Sequence, residues 1–342
     1  MMRNCLSDVA GIRLGHADDP RFLTGATVAL VDRPNVASAL IPGGAPGTRD
    51  TALLEPERTV QAVDAVVLSG GSAFGLDAAG GVQRLLARRG IGLDVGGHTI
   101  PIAVQAIIFD LRARVSGGPD VPDHFFWDLG WRAAATTLQT TAATAVAEGS
   151  VGAGIGATTA DLKGGFGSAS QRLADGTTVA AMAVANAIGS VLGSDRGHLL
   201  AAPLERDGEF GGLGPAAGPV GALEQMPLKG RGETATTIAC IATDATLDKA
   251  EAKRVAIMAS GGFARALRPP FAPFDGDTVF SVATLRRPRP DAGPDLTLIG
   301  AAAADCLARA VTRGVTTATL PGENYAGPPT YRERFADVLI GS

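Results

Sequence analysis

The stretch Glu233-Thr-Ala-Thr-Thr-Ile-Ala-Cys-Ile-Ala-Thr-Asp-Ala245 marks an abrupt change in the character of the chain. A polar, glycine-rich region from Lys229 to Glu233 gives way there to an apolar run that starts with hydroxyl residues. Such a run predicts a strand of a sheet that is buried on both sides. The threonines at its start have β-propensity and can close the strand end with a hydrogen bond.

The same threonines have a second interpretation, in which the segment is an autoproteolytic junction. The hydroxyl oxygen of Thr236 would attack the carbonyl carbon of Ala235, and hydrolysis of the ester would leave a chain that begins with Thr236. That residue would carry both a nucleophile and an amine base. Taken alone, the segment favours the simpler interpretation, a strand end closed by a threonine.

Similar apolar runs elsewhere in the chain predict further strands, and helical periodicity predicts four helices. The predicted strands are 26–31, 65–69, 179–185, 236–242 and 278–283, and the predicted helices are 74–89, 131–147, 247–266 and 296–313. Thr246 is the predicted cap of the third helix. Because strands and helices do not alternate regularly, the pattern favours helices packed outside stacked sheets over a doubly wound sheet. With no repeat and no clear linker, one domain over residues 1–342 is expected.

Composition excludes several classes of protein. The 342 residues are 46% hydrophobic, too many for a disordered chain, and 30 basic against 34 acidic residues without a basic block argue against nucleic-acid binding. Cys5, Cys240 and Cys306 are isolated, which is typical of a reducing compartment. The first residues lack the apolar core of a signal peptide, and no apolar run reaches the length that spans a bilayer. We therefore expect a cytoplasmic protein without a membrane partner.

Motifs for cofactors and metals are weak or missing. The glycine turn in Leu68-Ser-Gly-Gly-Ser-Ala-Phe-Gly-Leu76 lacks the Lys-Ser/Thr of a P-loop, so tight packing of strand on helix is favoured over phosphate binding. Arg49 is expected to hold a loop with Asp50, and a substrate-carboxylate role for Arg49 is the less favoured alternative. The four histidines are scattered, without the spacing of metal ligands. We expect neither a cofactor nor a metal.

Seven motifs, distributed over nearly the whole chain, resemble the DmpA-type aminopeptidase family. This family includes β-peptidyl aminopeptidases and the nylon-oligomer (6-aminohexanoate) endohydrolases. The motifs are Asp8-Val-Ala-Gly-Ile-Arg-Leu-Gly-His16, Gly44-Ala-Pro-Gly-Thr-Arg-Asp-Thr51, Leu68-Ser-Gly-Gly-Ser-Ala-Phe-Gly-Leu76, Leu162-Lys-Gly-Gly-Phe-Gly-Ser168, Thr236-Thr-Ile-Ala239, Asp275-Gly-Asp-Thr-Val-Phe280 and Ala302-Ala-Ala-Asp-Cys-Leu307.

The resemblance implies the fold of N-terminal-nucleophile hydrolases, which is a layered α-β-β-α sandwich. It also implies that the chain cuts itself before Thr236 into subunits 1–235 and 236–342, which stay associated, and that the processed protein forms a homotetramer. Ala235 departs from the Asn of the nylon-oligomer branch but, as a small residue, is similar to the Gly of the aminopeptidase branch.

Carried over motif by motif, the resemblance implies four further catalytic residues: Lys163, Asn186, Asp275 and Asp277. Asn186 would donate to the developing oxyanion, the two carboxylates would orient the ammonium, and Lys163 would lower neighbouring pKa values by its charge. Without the resemblance, structural interpretations would be favoured: Lys163 as a solvated turn residue, Asn186 as a strand-end cap and the Asp-Gly-Asp sequence as an Asx turn.

The leading functional hypothesis is an autoprocessed amidohydrolase or aminopeptidase that cleaves small peptides or peptide-like amides through Thr236. The alternatives of an α-peptide, a β-peptide and an ω-amino-acid oligomer substrate stay open. A second hypothesis, supported by Ala235, is an uncleaved, catalytically silent relative that binds a small ligand.

Overall fold

Two five-stranded β-sheets lie at the centre of the computed structural model, which describes residues 2–113, 120–141, 144, 146–218, 221–230, 235–289 and 292–339. The strands are β1 Ile12–Asp19, β2 Thr24–Val31, β3 Val36–Leu40, β4 Thr48–Arg49, β5 Ala65–Ser69, β6 Leu93–Val95, β7 His98–Ile100, β8 Ala103–Ile107, β9 Gly165–Arg172, β10 Thr178–Ala185, β11 Ile238–Ala245 and β12 Thr278–Arg287. The first sheet has the order β1-β2-β5-β8-β4 and the second the order β3-β12-β11-β10-β9, while β6 and β7 form a separate hairpin.

Helices cover the outer face of each sheet. They are α1 Ala78–Arg88, α2 Phe125–Gln139, α3 Lys249–Ala266, α4 Ala292–Thr316 and the short α5 Tyr331–Arg334 and α6 Ala336–Leu339. The pair α1 and α2 packs on the first sheet, and the pair α3 and α4 packs on the second. No helix in the described part of the chain is both long enough and apolar enough to cross a membrane.

Three apolar clusters separate the four layers. Between the two sheets, side chains such as Leu68, Val104, Met182 and Cys240 pack face to face. The other two clusters fill the space between each sheet and its helices, one around Val67 and Leu129 and the other around Ile241, Phe263 and Leu307. This arrangement is the predicted α-β-β-α sandwich, in which a sheet buried on both faces explains the uninterrupted apolar strands.

Two local predictions were wrong. The third helix is capped by Asp248, whose carboxylate accepts from the Glu251 N–H at 2.8 Å while the Glu251 carboxylate accepts from the Asp248 N–H at 2.9 Å. Thr246 instead donates its hydroxyl to the carbonyl of Arg287 at 3.0 Å. The second helix spans Phe125–Gln139 and not 131–147, because buried aromatic residues extend its apolar face towards the N-terminus.

Strand directions bring four distant segments to one edge of the second sheet. Strands β11 and β12 are parallel and begin side by side, with Ile238 opposite Thr278. Strand β10 runs antiparallel to β11, so its last residues lie beside the first residues of β11. Strand β9 is antiparallel to β10 and begins at the same edge, with Gly165 opposite Ala185. Residues just before β9, β11 and β12 and just after β10 therefore meet there.

Candidate active site

Thr236 lies immediately before β11 and is buried, with 3% of its surface exposed. Its hydroxyl donates to the carbonyl oxygen of Ala235. The N–H of Gly276 donates to the same oxygen at 3.0 Å, and the N–H of Thr236 donates to the carbonyl of Asn186 at 2.9 Å. The peptide group between Ala235 and Thr236 is thus hydrogen-bonded at both ends, and two donors polarise its carbonyl.

Asn186 follows β10 and is completely buried. Its Oδ1 accepts from the Thr158 N–H at 3.0 Å and from Lys229 Nζ at 3.2 Å, and its Nδ2 donates to the carbonyl of Phe109 at 3.1 Å. Because two donors face Oδ1 and an acceptor faces Nδ2, the orientation of the amide is fixed. An amide nitrogen carries two hydrogens, so Nδ2 can donate to one further acceptor.

Asp275 and Asp277 lie just before β12, and both are buried. Asp277 accepts from the N–H groups of Thr237 at 2.7 Å and Phe271 at 2.9 Å, whereas Asp275 accepts from those of Ile188 at 3.3 Å and Ala272 at 3.4 Å. Burial raises the pKa of both carboxyl groups, and the charge of Asp277 raises that of Asp275 further. The pair is more than a turn motif, because Asp277 accepts from the backbone of Thr237, next to Thr236, and Asp275 accepts from the backbone of Ile188, two residues after Asn186.

Lys163 precedes β9 and is fully buried, which excludes a solvated turn position. Its Nζ donates to three carbonyl oxygens, those of Gly154 at 3.0 Å, Ala157 at 2.8 Å and Gly164 at 2.8 Å. Burial lowers the pKa of Lys163 to about 7; the charge of Asp110 opposes this shift and that of Lys229 adds to it.

Lys163 is linked to Asn186 through one peptide group. The carbonyl of Ala157 accepts from Lys163 Nζ, and the N–H of the same peptide, on Thr158, donates to Asn186 Oδ1. A cation at the carbonyl end of a peptide polarises its N–H. The contacts therefore join Thr236 directly to Asn186, and Lys163 lies one peptide behind Asn186. Asp275 and Asp277 bond instead to the neighbouring residues Ile188 and Thr237.

The family model of peptidase family S58 matches residues 4–324. The chain belongs to peptidase family S58. This confirms the resemblance to DmpA-type aminopeptidases and makes the chain a peptide hydrolase. Among its relatives, an uncharacterized aminopeptidase of Mycobacterium tuberculosis (strain ATCC 25618 / H37Rv) is 44% identical over 357 residues, covering 97% of this chain and 98% of the relative. An uncharacterized aminopeptidase of Mycobacterium leprae (strain TN) is 40% identical over 353 residues, covering 97% and 94%.

Solved structures share the fold of this S58 chain. A β-aminopeptidase of Burkholderia sp. superposes with a TM-score of 0.66 at 20% identity, over 99% of this chain and 94% of that one. The L-aminopeptidase D-Ala-esterase/amidase of Ochrobactrum anthropi, described as a new variant among the Ntn hydrolase fold, has a TM-score of 0.63 at 19% identity, with the same coverage. The layered fold predicted from the sequence is therefore confirmed as the Ntn-hydrolase fold.

Two charged residues beside the candidate site were not predicted from the sequence. Asp110 follows β8, is 4% exposed, and accepts from the Gly71 N–H at 2.7 Å; burial raises its pKa to about 6. Lys229, half-buried, donates from Nζ to both oxygens of Asn186. An acidic residue directly after the apolar run 103–108 was a usable signal for Asp110. No sequence signal pointed to Lys229, because a lysine in a polar, glycine-rich segment is normally exposed to solvent.

A cavity of about 380 Å³ lies beside Asn186 in the S58 chain. Its wall includes the three residues that hydrogen-bond the Asn186 side chain, which are Phe109, Thr158 and Lys229, together with Asp110. A concave space next to a fixed amide donor and a buried carboxyl group has the features of a substrate pocket.

Two further predictions from the motifs concern structural contacts. A Cβ on Gly75 would lie 1.8 Å from the carbonyl oxygen of Gly70, so the glycine turn permits tight packing, as predicted. Arg49 donates to the carbonyl of Leu76 and to Gln83, which agrees with a role in holding a loop. Within the described ranges, no group of three or more His, Cys, Asp or Glu residues is placed to hold a metal ion.

Proposed function

We propose that this S58 chain is an aminopeptidase of the N-terminal-nucleophile type, which cuts itself between Ala235 and Thr236 and then hydrolyses peptides or peptide-like amides through Thr236. The observation that carries the proposal is the paired contact on the Ala235 carbonyl. The Thr236 hydroxyl and the Gly276 N–H both donate to its oxygen. The nucleophile is therefore beside the bond to be cut, and a backbone donor is placed to stabilise the oxyanion.

Maturation follows as an acyl shift and a hydrolysis. The Thr236 Oγ attacks the Ala235 carbonyl carbon, the hydroxyl proton passes to the departing nitrogen of Thr236, and the C–N bond breaks to leave an ester. Water then hydrolyses the ester. The products are the carboxylate of Ala235 and a Thr236 that carries a free hydroxyl and a free α-amine.

Turnover uses the same atoms on a substrate amide. The α-amine of Thr236 takes the hydroxyl proton while Oγ attacks the substrate carbonyl, and the developing oxyanion accepts from Asn186 Nδ2. The proton passes to the leaving amine, and water hydrolyses the acyl ester. Asp275 and Asp277 hold the strand ends around the nucleophile and orient its ammonium. Lys163 polarises the peptide that bonds Asn186.

Intact mass under denaturing conditions tests the proposal. Wild-type protein should give a fragment of residues 1–235 and one of residues 236–342 that starts with Thr236. Thr236→Ala should give one uncut chain without amidase activity, and Thr236→Ser should retain part of both properties. Thr237→Val is the matched control, because it removes the next hydroxyl of the same strand and should mature like the wild type.

Two results would contradict the proposal. Cleavage of Thr236→Ala at the same junction would transfer the role to Thr237, or to Thr234, which lies outside the described residues. Wild-type protein that stays intact and inactive but is stabilised by a small amide would favour the silent ligand-binding relative.

A further inference from the structure

Lys229 is anchored in the active site independently of the bond that is cut. Its N–H donates to the carbonyl of Ile188 at 2.9 Å, and its Nζ donates to the carbonyl and side-chain oxygens of Asn186, both at 3.2 Å. Farther upstream in segment 221–230, the Gly221 carbonyl accepts from Arg268 at 3.0 Å. None of these contacts involves Ala235 or Thr236, so we expect them to persist after cleavage.

The first consequence of this anchoring concerns the orientation of Asn186. A terminal amide can rotate by half a turn and exchange its donor for its acceptor. The ammonium of Lys229 can only donate, so its contact with Oδ1 disfavours the rotated state. The Nδ2 hydrogens then stay on the side where an oxyanion would need them.

The second consequence concerns the nitrogen of Thr236. The carbonyl oxygen of Asn186 accepts from this nitrogen at 2.9 Å and from Lys229 Nζ at 3.2 Å, so the two nitrogens lie within about 6 Å of each other. After cleavage the Thr236 nitrogen becomes an α-amine, and a fixed positive charge at that distance disfavours its protonated form.

We infer that Lys229 is a positioning residue of this active site, which holds the Asn186 amide in its donating orientation and keeps a positive charge beside the Thr236 amine. The inference rests on the proposed function, because the amine exists only if the chain is cut before Thr236.

A cation beside the Thr236 amine opposes the effect of the acidic groups of the site on the pKa of that amine. Asp275 and Asp277 stabilise a protonated amine, whereas a general base must be neutral to accept the hydroxyl proton. Lys163 is buried one peptide away, and its charge is partly compensated by Asp110. The charge of Lys229 also lowers the pKa of Lys163 and of Asp275, so its field reaches both of these groups.

Lys229→Met and Lys229→Arg test the inference, with Lys253→Met as the control. Lys253 pairs with Glu55 and donates to the carbonyl of Ala39, on another side of the second sheet, so its loss removes a lysine charge outside the site. Matured protein is assayed for kcat and KM on an aminoacyl amide from pH 5 to 9, and its Tm is recorded. Lys229→Met should lower kcat about tenfold and shift the acidic limb of kcat/KM up by about one pH unit, because the amine then protonates more readily.

Lys229→Arg should restore most of kcat and the wild-type limb, and Lys253→Met should not change either. If Lys229→Met alone failed to mature, at a Tm close to that of the wild type, the result would also support a positioning role. Wild-type kcat and an unshifted limb in Lys229→Met would overturn the inference. A higher KM alone would also overturn it, because Lys229 would then be a substrate-binding residue of the pocket wall. Absence of an N-terminal Thr236 in the wild type would instead overturn the proposed function itself.

Discussion

The carboxyl groups of Asp275 and Asp277 are buried alike but bonded differently, and this difference leads to a prediction about stability. Asp275 accepts two long hydrogen bonds, of 3.3 and 3.4 Å, and has a raised pKa. In the window from its ordinary pKa of 3.8 up to the raised value, the folded state binds more protons than the unfolded chain, so this group makes the protein less stable as the pH rises. Asp275→Asn should therefore stabilise the fold at pH 8 by about 1–2 kcal/mol and have little effect near pH 4.

Urea denaturation in a Thr236→Ala background, which keeps every chain uncut, measures this difference. Asp277→Asn is the matched comparison, because Asp277 accepts two short bonds, of 2.7 and 2.9 Å, and an amide can accept only one of them without turning a donor towards the other. Asp277→Asn should lower the free energy of unfolding by about 1–3 kcal/mol near pH 4. If Asp275→Asn destabilised the protein equally at both pH values, the carboxyl group of Asp275 would not carry a destabilising buried charge.

Gly276 separates the two acidic residues, and its missing side chain gives a second prediction. A Cβ there would lie 2.9 Å from the Thr236 Oγ and 2.7 Å from the carbonyl oxygen of Ala45, closer than such contacts normally are. Gly276→Ala should displace the nucleophile and slow self-cleavage by about tenfold or more, since misplacement of reacting atoms is costly.

The time course of the 236–342 fragment, followed by mass spectrometry, measures that rate. Gly261→Ala is the control, because Gly261 lies on α3 with open space at its Cβ position and should gain helix stability of about 0.5–1 kcal/mol. Equal cleavage rates in the two variants would show that the backbone adapts at Gly276.

At the level of single residues, the resemblance named the side chains of the candidate site but not how they are bonded. The burial of Lys163 depends on carbonyl groups of Gly154, Ala157 and Gly164, whose positions are set by loop geometry and not by side-chain type. Lys229 could not be predicted because its place is defined by the backbone of Ile188 and Asn186. Backbone partners of this kind leave no signal in the sequence.

Among the secondary structure elements, the second sheet predicts the fate of the two fragments after cleavage. Its order β3-β12-β11-β10-β9 places the two strands of the 236–342 fragment between strands of the 1–235 fragment. Separation would break the ladders on both sides and expose the apolar faces of β11 and β12. The fragments should therefore co-elute in native size-exclusion chromatography and separate only in denaturant. Separate elution of an active 107-residue fragment would contradict this prediction.

The elements that were predicted well are those in which local sequence and packing agree. Strand β5 was predicted with its observed bounds because every residue of Ala65–Ser69 is buried. Strand β1 was not recognised, because Gly15, His16 and Asp18 interrupt its apolar pattern. Position 15 requires glycine because α2 packs against it, and a Cβ there would lie 2.3 Å from the Thr137 hydroxyl. That packing is a tertiary contact, which periodicity along one segment does not report.

At the scale of the whole molecule, the small residues of α4 serve the fold of one chain. An Ala-rich helix face of this kind can pack either on a sheet or on a symmetry mate. In the structure Gly314 packs against Gly165 at the start of β9, and the Ala304 carbonyl is close to Gly262 of α3. Most of α4 after Leu298 is buried in this way. Composition therefore gives no separate support for association, and the homotetramer remains a prediction from the resemblance alone.

Light scattering tests that prediction, with an expected mass of about four times the 34.5 kDa of one chain. Dilution below the dissociation constant should lower Tm, since association stabilises the folded state by mass action. A parallel loss of kcat would show that a neighbouring protomer builds part of the active-site wall. A mass of one chain in the fully active state would contradict the tetramer and leave the catalytic proposal untouched, because no step of self-cleavage or turnover in that proposal uses a second protomer.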